Sequence, residues 1–392
     1  MALRFGETTT VGAAINGRHN SFGALRLGFA LLVIVSHAFP LGNGSTDPVK
    51  AVLTNGQTHM GTFAVLGFLG ISGYVVTKSA MRTDVMQFFW HRVLRIFPAF
   101  WVALAVTAFG LAPLGWISAG NDLADYFTFG ANGPFAYIAA NWTLTINQWG
   151  ILDVWADDTP NGIALGTSAV NGSLWTLSYE WLCYIIIGGV GAAGILTKAR
   201  VLIPITAGLL LIGSVMNQMQ AQSATAIVPG LGDHSRVQLL LIFFLGATIA
   251  VYADRMPFND ALGIASIAVL FFSLYRGGYF VIGLPAMAYA LVYLAVRLPQ
   301  WAQRVGQKTD YSYAVYLYAF PVQMYTAQLG WNDSLGLALW TLVCTAITFV
   351  FAWLSWHGIE KNLMRLKGIG PGKGISHWAG RINAKRPARI SL

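Results

Sequence analysis

Long apolar runs recur along the whole chain and are separated by short polar segments. About 20 apolar residues of α-helix are needed to cross the hydrocarbon core of a bilayer. We therefore predict an all-α polytopic membrane helix bundle of about ten transmembrane helices. Their predicted positions are 22–41, 60–79, 95–114, 173–196, 201–217, 237–253, 259–275, 279–296, 311–330 and 336–357.

The composition agrees with this pattern. Of the 392 residues, 56% are hydrophobic and only 10% are charged, whereas soluble domains carry about 25% charged residues. The formal net charge is +9, but the basic residues occupy alternate loops and the C-terminal tail. That distribution is typical of membrane topology, so it argues against nucleic-acid binding.

The positions of Lys and Arg also predict the orientation of the bundle. With ten spans both termini lie on one side, and the positive-inside rule places that side in the cytoplasm. The inner segments then contain Arg4, Arg18, Lys78, Arg82, Arg92, Arg95, Lys198, Arg200, Arg255, Arg297, Arg304, Lys308 and the basic residues from Lys361 onward. The outer segments contain only Lys50, Arg236 and Arg276.

Two segments depart from this regular alternation. The longest outer segment, 115–172, contains five Asp, no Lys or Arg, and several Trp. It is suited either to recognition of a sugar by aromatic rings or to covering the bundle at the membrane surface. We predict a membrane domain over residues 1–367 and a flexible, basic cytoplasmic tail over 368–392 that contacts anionic membrane lipids.

The first apolar run carries two ionisable residues, Arg26 and His37. Ionisable side chains are costly inside a bilayer, so they usually face a polar interior and serve a function. Eleven residues of helix make about three turns, which places both side chains on one face, about 16 Å apart along the axis. His37 is suited to accept a proton from a hydroxyl group. The alternative is a histidine that only packs and hydrogen-bonds.

The segment 171–181, which opens the fourth span, brings a carboxylate into the bundle. Glu180 is predicted about two turns from the outer end of this span, at a depth similar to that of His37. There it would orient and stabilise a charged imidazole, as the third residue of a catalytic triad does. The alternative is a structural ion pair with Arg26 or with another helix.

A basic cluster is predicted at the cytoplasmic entrance of the third span. Arg92 and Arg95 are three residues apart, so they project from neighbouring faces of a helix. Together with Lys78 and Arg82 they form a cationic mouth suited to phosphate groups. Simple positive-inside anchors would show the same pattern. Tyr74 adds a hydroxyl group that either packs, hydrogen-bonds or contributes to the site.

These motifs, in this order, resemble acyltransferase family 3, the integral-membrane acyltransferases that often modify cell-envelope glycans. The resemblance covers about residues 20–365. It rests on Arg26-x10-His37, Ile71-Ser-Gly-Tyr74, Phe89-x-x-Arg92-x-x-Arg95-Ile-x-Pro98, Ser173-Leu-Trp-Thr-Leu-Ser-Tyr-Glu180-Trp, Tyr311-Ser-Tyr-x-x-Tyr316-Leu-x-x-Phe320-Pro321 and Ile359-Glu360. The chain departs from the family where it has Ala319, a position that is often His, and Lys361-Asn362, where Arg-Pro is common.

The resemblance implies an O-acetyltransferase of the cell envelope. The acyl donor would be cytosolic acetyl-CoA, and no metal is implied. The coenzyme would be held by Arg92, Arg95, Tyr74 and Lys78. The acceptor would be a glycan or lipid-linked saccharide on the outer side of a bacterial inner membrane.

For the chemical step the resemblance implies roles for three residues. His37, oriented by Glu180, would deprotonate the acceptor hydroxyl as it attacks the thioester, or would itself carry the acyl group transiently. Arg26 would stabilise the coenzyme or the oxyanion. Buried His, Arg and Glu also occur in proton relays, so a proton-coupled transporter is the alternative from another functional class. A non-catalytic scaffold would leave the buried charges without an explanation.

Overall fold

The computed structural model describes residues 6–15, 17, 19–219 and 233–378. Arg4, Arg18 and the part of the predicted tail beyond residue 378 lie outside the described residues. Within them the chain is mostly helical. Two short strands, β1 (Thr9–Thr10) and β2 (Pro257–Phe258), pair antiparallel with Thr9 opposite Phe258.

A long helix occurs at each of the ten predicted positions. These helices are α1 (Phe22–Asn43), α2 (Met60–Ala80), α3 (Val85–Val106), α4 (Thr176–Ala192), α5 (Leu202–Gln218), α6 (His234–Val251), α7 (Asp260–Arg276), α8 (Leu284–Arg297), α9 (Ser312–Gln328) and α10 (Leu337–Ser355). Six helical stretches in the described part are long and apolar enough to cross a membrane. Three of them are α1, α2 and α6, and the other three extend α3 to Val85–Ser118, α8 to Tyr279–Arg297 and α10 to Leu337–Gly368. The count of ten spans and the orientation therefore stay predictions.

Short helices connect these elements. They are Val11–Ala14, Pro48–Val52, Ala112–Ser118, Leu123–Tyr126, Pro134–Asn141, Pro160–Leu165, Ile195–Lys198, Gln300–Arg304, Trp331–Leu335 and Lys361–Met364, with 3₁₀ turns at Arg365–Gly368 and Gly370–Lys373. In the long segment 115–172, Trp155 is buried and donates a hydrogen bond from Nε1 to Gln328 Oε1 of α9 at 3.0 Å. Part of this segment therefore packs on the end of the bundle.

Helix α3 begins ten residues before the predicted span. Asp84 explains the early start, because its side chain accepts from the backbone N–H of Gln87 while the Gln87 side chain bonds back to Asp84, forming a capping box. Apolarity alone could not locate this start, since the first turns are interrupted by polar residues. Arg92 and Arg95 consequently lie inside a continuous helix.

Three π-helical turns interrupt the described long helices, at Thr107–Leu111, Tyr279–Gly283 and Trp356–Glu360. A proline follows the first two within two residues, at Pro113 and Pro285. Proline has no N–H to donate to the preceding turn, so the ladder of hydrogen bonds shifts there. The third turn ends at the buried Glu360.

Helix α2 lies at the centre of the bundle and packs against α1, α4, α6 and α8, while α9 packs against α1 and α10. Glycines permit the closest of these contacts. A Cβ atom at Gly73 would overlap the carbonyl of Phe243, and one at Gly246 would overlap the carbonyl of Gly70. Small residues in α2 thus bring its backbone against α6.

Candidate functional site

Within the described residues, three adjacent cavities lie inside the bundle, and neighbouring cavities share lining residues. We name them the Lys78 cavity, the Glu180 cavity and the His37 cavity, with volumes of about 470, 80 and 310 Å³. Arg92 lines both of the first two, and Val65, Thr176 and Tyr316 line both of the last two. The cavities therefore follow one another through the bundle, with a narrow one in the middle.

The Lys78 cavity is lined by the polar end of α2. Tyr74, Lys78 and Arg82 contribute from α2 and the turn after it, and Arg92 contributes from α3. The carboxylate of Asp254 also lines this cavity. The cavity therefore brings together three of the four residues that the sequence predicts to bind the coenzyme.

Arg92 carries a charge that no described carboxylate neutralises. Its guanidinium carbon lies 5.9 Å from the ring centre of Phe88 and 5.7 Å from that of Tyr184. Its Nε atom is buried and has no hydrogen-bond partner within the described protein. A cation held between aromatic rings at the junction of two cavities is suited to bind an anion.

Arg95, one turn along α3, is instead neutralised by the protein. Its Nη2 atom lies 2.5 Å from Asp310 Oδ2, and its Nη1 atom lies 3.6 Å from Glu360 Oε2. Arg95 lines the Glu180 cavity but not the Lys78 cavity. The structure thus separates two arginines to which the sequence assigned the same role.

Asp310 joins Arg95 to Arg26. The Arg26 Nη1 atom lies 3.8 Å from Asp310 Oδ2, and Ser312 donates to Asp310 Oδ1 from its hydroxyl at 2.6 Å. Burial alone would raise the pKa of the Asp310 carboxyl, but Arg95 and Arg26 hold it below its usual value. Asp310 was not among the predicted site residues, although a lone acidic residue beside the Tyr311 motif in a chain with few charges was a usable signal.

Glu180 lies in the Glu180 cavity and not beside His37. Its Oε1 atom accepts hydrogen bonds from Ser72 Oγ at 3.0 Å and from Tyr184 Oη at 2.5 Å. Thr176 lies four residues, or about 6 Å along α4, before Glu180 and lines both the Glu180 cavity and the His37 cavity. Glu180 thus lies about one helical turn from the His37 cavity without lining it, and an orienting contact with His37 stays a prediction. No ion pair between Glu180 and Arg26 is found among the described residues.

His37 lines the cavity at the opposite end of α1 from Arg26. Its ring packs edge-on against Phe320 of α9, with centroids 5.5 Å apart. Its Nδ1 atom is buried and has no hydrogen-bond partner in the described part of the chain. Both residues of the Arg26–His37 motif thus face the interior, Arg26 in the narrow middle cavity and His37 in the cavity that follows it.

The position where relatives often have His is filled by the buried Ala319 of α9. Helix α9 therefore brings no second imidazole to this region. Two further polar residues that sequence analysis did not single out for the site, Ser173 and Gln238, also line the His37 cavity. Gln238 left little signal, because it is one polar residue in an apolar run.

Comparison with known proteins shows the family of the chain. A family model described as an acyltransferase domain matches residues 19–357. The chain is 33% identical over 361 residues, 88% of its length and 96% of the relative, to an O-acetyl transferase of Shigella phage Sf6. It is also 32% identical over 174 residues, 43% of each chain, to nodulation protein 10 of Rhizobium leguminosarum bv. viciae. No solved structure matches. The chain belongs to acyltransferase family 3, and it is a membrane O-acyltransferase.

Proposed function

We propose that this enzyme transfers an acetyl group from cytosolic acetyl-CoA to a hydroxyl group of a cell-envelope glycan on the outer side of a bacterial inner membrane. The observation that carries the proposal is the series of three cavities. Lys78, Arg82 and Arg92 line the cavity at one end, where Arg92 has no carboxylate partner among the described residues, and His37 lines the cavity at the other end. A donor that enters at one side of the membrane can thus reach an acceptor at the other.

The Lys78 cavity supports a phosphate-bearing donor. Lys78, Arg82 and Arg92 line it, and phosphate groups are bound by such clusters of Lys and Arg. We assign the main phosphate contact to Arg92, because Asp310 and Glu360 already neutralise Arg95. Arg95 then fixes the helices around the narrow middle cavity.

The acetylated arm of the coenzyme would pass Arg26 and Glu180 and end at His37. Arg26 and His37 are about 16 Å apart along α1, a separation that an arginine side chain does not span. Arg26 therefore acts on the coenzyme and not on the oxyanion at His37. Glu180, held by Ser72 and Tyr184, is placed to interact with this arm or with Arg26.

At the far end His37 acts as the base. It removes the proton from the acceptor hydroxyl as the oxygen attacks the thioester carbonyl, and it then returns the proton to the departing coenzyme thiolate. No described carboxylate orients the ring, so its position depends on packing against Phe320. The imidazole is also placed to form a transient acyl-histidine.

The surroundings of the His37 cavity support an acceptor that approaches from the membrane surface. His59 lines both this cavity and an adjoining apolar cleft formed by residues such as Leu32, Phe63 and Phe271. A lipid-linked saccharide would place its sugar in the cavity and its hydrocarbon chain in the cleft. The segment 115–172 supplies none of the described residues that line the cavity, so the covering role suits it better than sugar recognition.

The test is acetyl-CoA binding and turnover by the purified full-length protein. Wild type should bind acetyl-CoA, Arg92→Ala should lose most of that binding, and His37→Ala should bind normally but release no coenzyme A thiol to an added glycan acceptor. A folded wild-type protein that does not bind acetyl-CoA, with or without the glycan, would overturn the proposal. Turnover by His37→Ala would remove His37 from the reaction.

A further inference from the structure

Three polar side chains that line the His37 cavity each have a buried atom with no hydrogen-bond partner in the described part of the chain. They are His37 of α1, Ser173 just before α4 and Gln238 of α6. The unpaired atoms are Nδ1, Oγ and Nε2, respectively. Ser173 is 2% exposed and Gln238 is 4% exposed, so both are removed from bulk solvent. Most buried polar groups of folded proteins have partners, so this convergence requires an explanation.

Neighbouring polar groups of the same cavity are paired. Ser36 donates to Asp47 Oδ2 at 3.1 Å, and the same oxygen accepts from the backbone N–H of Met60 at 2.8 Å. The hydroxyl oxygens of Thr176 and Tyr316 lie 2.6 Å apart. His37, Ser173 and Gln238 thus differ from their neighbours in lacking a hydrogen-bond partner in the described protein. We expect a bound ligand to be that partner.

The chemistry of the set defines the ligand. No Lys or Arg is among the described residues that line the cavity. Its second imidazole, His59, has a pKa below the usual value, because burial and Lys50 outweigh Asp47. The cavity is therefore not built for phosphate. A hydroxyl group and an amide N–H can both donate to an oxygen that only accepts, and the carbonyl oxygen of an acyl group is such an oxygen.

Ser173 also lies where the donor would arrive. Its backbone carbonyl accepts from Tyr316 Oη at 2.5 Å, and Tyr316 lines both the Glu180 cavity and the His37 cavity. We propose that Ser173 and Gln238 bind the carbonyl oxygen of the acyl group beside His37 and stabilise the negative charge that develops on it. This inference rests on the proposed use of acetyl-CoA and adds two residues to the reaction.

The step balances without a further reactant. The acceptor oxygen bonds to the carbonyl carbon as His37 takes its proton, and the electron pair of the C=O bond moves to the oxygen that Ser173 and Gln238 hold. That pair then re-forms the C=O bond as the carbon–sulfur bond breaks. The thiolate takes the proton from His37, which leaves free coenzyme A and the acetylated acceptor.

The experiment compares the Kd of acetyl-CoA with the Kd of coenzyme A, which lacks the acyl carbonyl. Wild type should bind acetyl-CoA more tightly, by about threefold to tenfold, as expected for added hydrogen bonds. Ser173→Ala and Gln238→Leu should bring the two Kd values together without changing the Kd of coenzyme A. Gln238→Glu should do the same, because it keeps the size but replaces the N–H donor with an acceptor.

Thr62→Val serves as the control, since Thr62 lines the same cavity and should leave the ratio of the two Kd values unchanged. Equal affinity of wild type for both ligands would overturn the inference, as would an unchanged ratio in the Ser173 and Gln238 variants that retain coenzyme A binding. A wild type that binds neither ligand would instead contradict the proposed function. The two failures are therefore distinguishable.

Discussion

Arg92 and Arg95 lie about one turn apart on α3, and we assign ligand binding to Arg92 and a structural role to Arg95. Both belong to α3 and both touch aromatic rings, but two carboxylates lie within 4 Å of Arg95 and no described carboxylate does so for Arg92. A buried ion pair contributes little net stability, yet removal of one partner leaves the other charge uncompensated. Substitution of Arg92 should therefore weaken ligand binding, whereas substitution of Arg95 should lower the stability of the fold.

Arg92→Ala should raise the Kd for acetyl-CoA by at least about tenfold with little change in melting temperature. Arg95→Ala should lower the free energy of unfolding by about 3 kcal/mol, because Glu360 loses its counter-charge and Asp310 keeps only the more distant Arg26. Titration calorimetry and thermal unfolding in detergent measure the two effects. Arg92→Lys, which keeps the charge, should retain part of the affinity. A strongly destabilised Arg92→Ala with unchanged Kd would contradict this assignment.

At Glu180, two substitutions distinguish the effect of the negative charge from the effect of the hydrogen bonds. Ser72 and Tyr184 both donate to the same oxygen, Oε1, so the amide oxygen of Glu180→Gln can accept both bonds. That variant should fold normally and turn over more slowly, because only the negative charge is lost. Glu180→Ala leaves both hydroxyl groups without an acceptor and should also lose about 1–3 kcal/mol of stability. Equal melting temperatures for the two variants would argue against these bonds.

Asp310 links stability to pH. Its pKa is lowered in the folded protein, so its contribution is fully present above the unfolded value of about 3.9 and is lost as pH falls through the folded value. At neutral pH, Asp310→Asn should melt at a lower temperature than wild type. The difference should stay constant down to about pH 5 and shrink below about pH 4. If the difference in melting temperature instead grew on acidification, the ion pair of Asp310 with Arg95 could not be its cause.

At the scale of elements, the start of α3 supports the Lys78 cavity. The Asp84 side chain accepts from the backbone N–H of Gln87 at 3.0 Å and from that of Ile375 at 3.0 Å. Trp90 Nε1 donates to the carbonyl of Leu366 at 2.9 Å. The segment after α10 thus packs on the first turns of α3, near Arg92, although the sequence places a flexible tail from residue 368.

Asp84→Ala should therefore weaken two elements at once. It removes the N-cap of α3, which costs about 1 kcal/mol, and it releases Ile375. The melting temperature should fall, and the Kd for acetyl-CoA should rise modestly because Arg92 is less well fixed. Asp84→Asn, which still accepts hydrogen bonds, should show smaller effects. Unchanged proteolysis of the 365–378 segment in Asp84→Ala would show that this cap does not hold it.

The helices were predictable from the sequence, but the depth at which their side chains meet was not. Apolar runs locate ten helices, and the eleven-residue spacing places Arg26 and His37 on one face. The pairing of Glu180 with Ser72, however, depends on how far α4 is shifted along α2, and a pattern of apolar residues contains no such information. Asp310 stands out in the sequence as an acidic residue beside the Tyr311 motif, but its partner Arg95 was not predictable, because only the folded bundle brings the two together.

At the scale of the whole molecule, the series of cavities has a function only if its ends open to opposite sides of the membrane. The charge distribution predicts that the Lys78 end faces the cytoplasm. Ser79 lines the Lys78 cavity and Ser45 lines the His37 cavity. The two native cysteines, Cys183 and Cys344, are buried, so single cysteines introduced at the two serines would be labelled against a low background.

A membrane-impermeant maleimide applied to intact cells should therefore label Ser45→Cys and leave Ser79→Cys unlabelled. In opened membranes Ser79→Cys should react as well, and coenzyme A should slow that reaction by occupying the Lys78 cavity. Labelling of Ser79→Cys alone in intact cells would invert the orientation and place the donor outside, where acetyl-CoA is not made. Labelling of both in intact cells would mean that the two cavities open to the same side, and a transfer across the membrane would then have no structural basis.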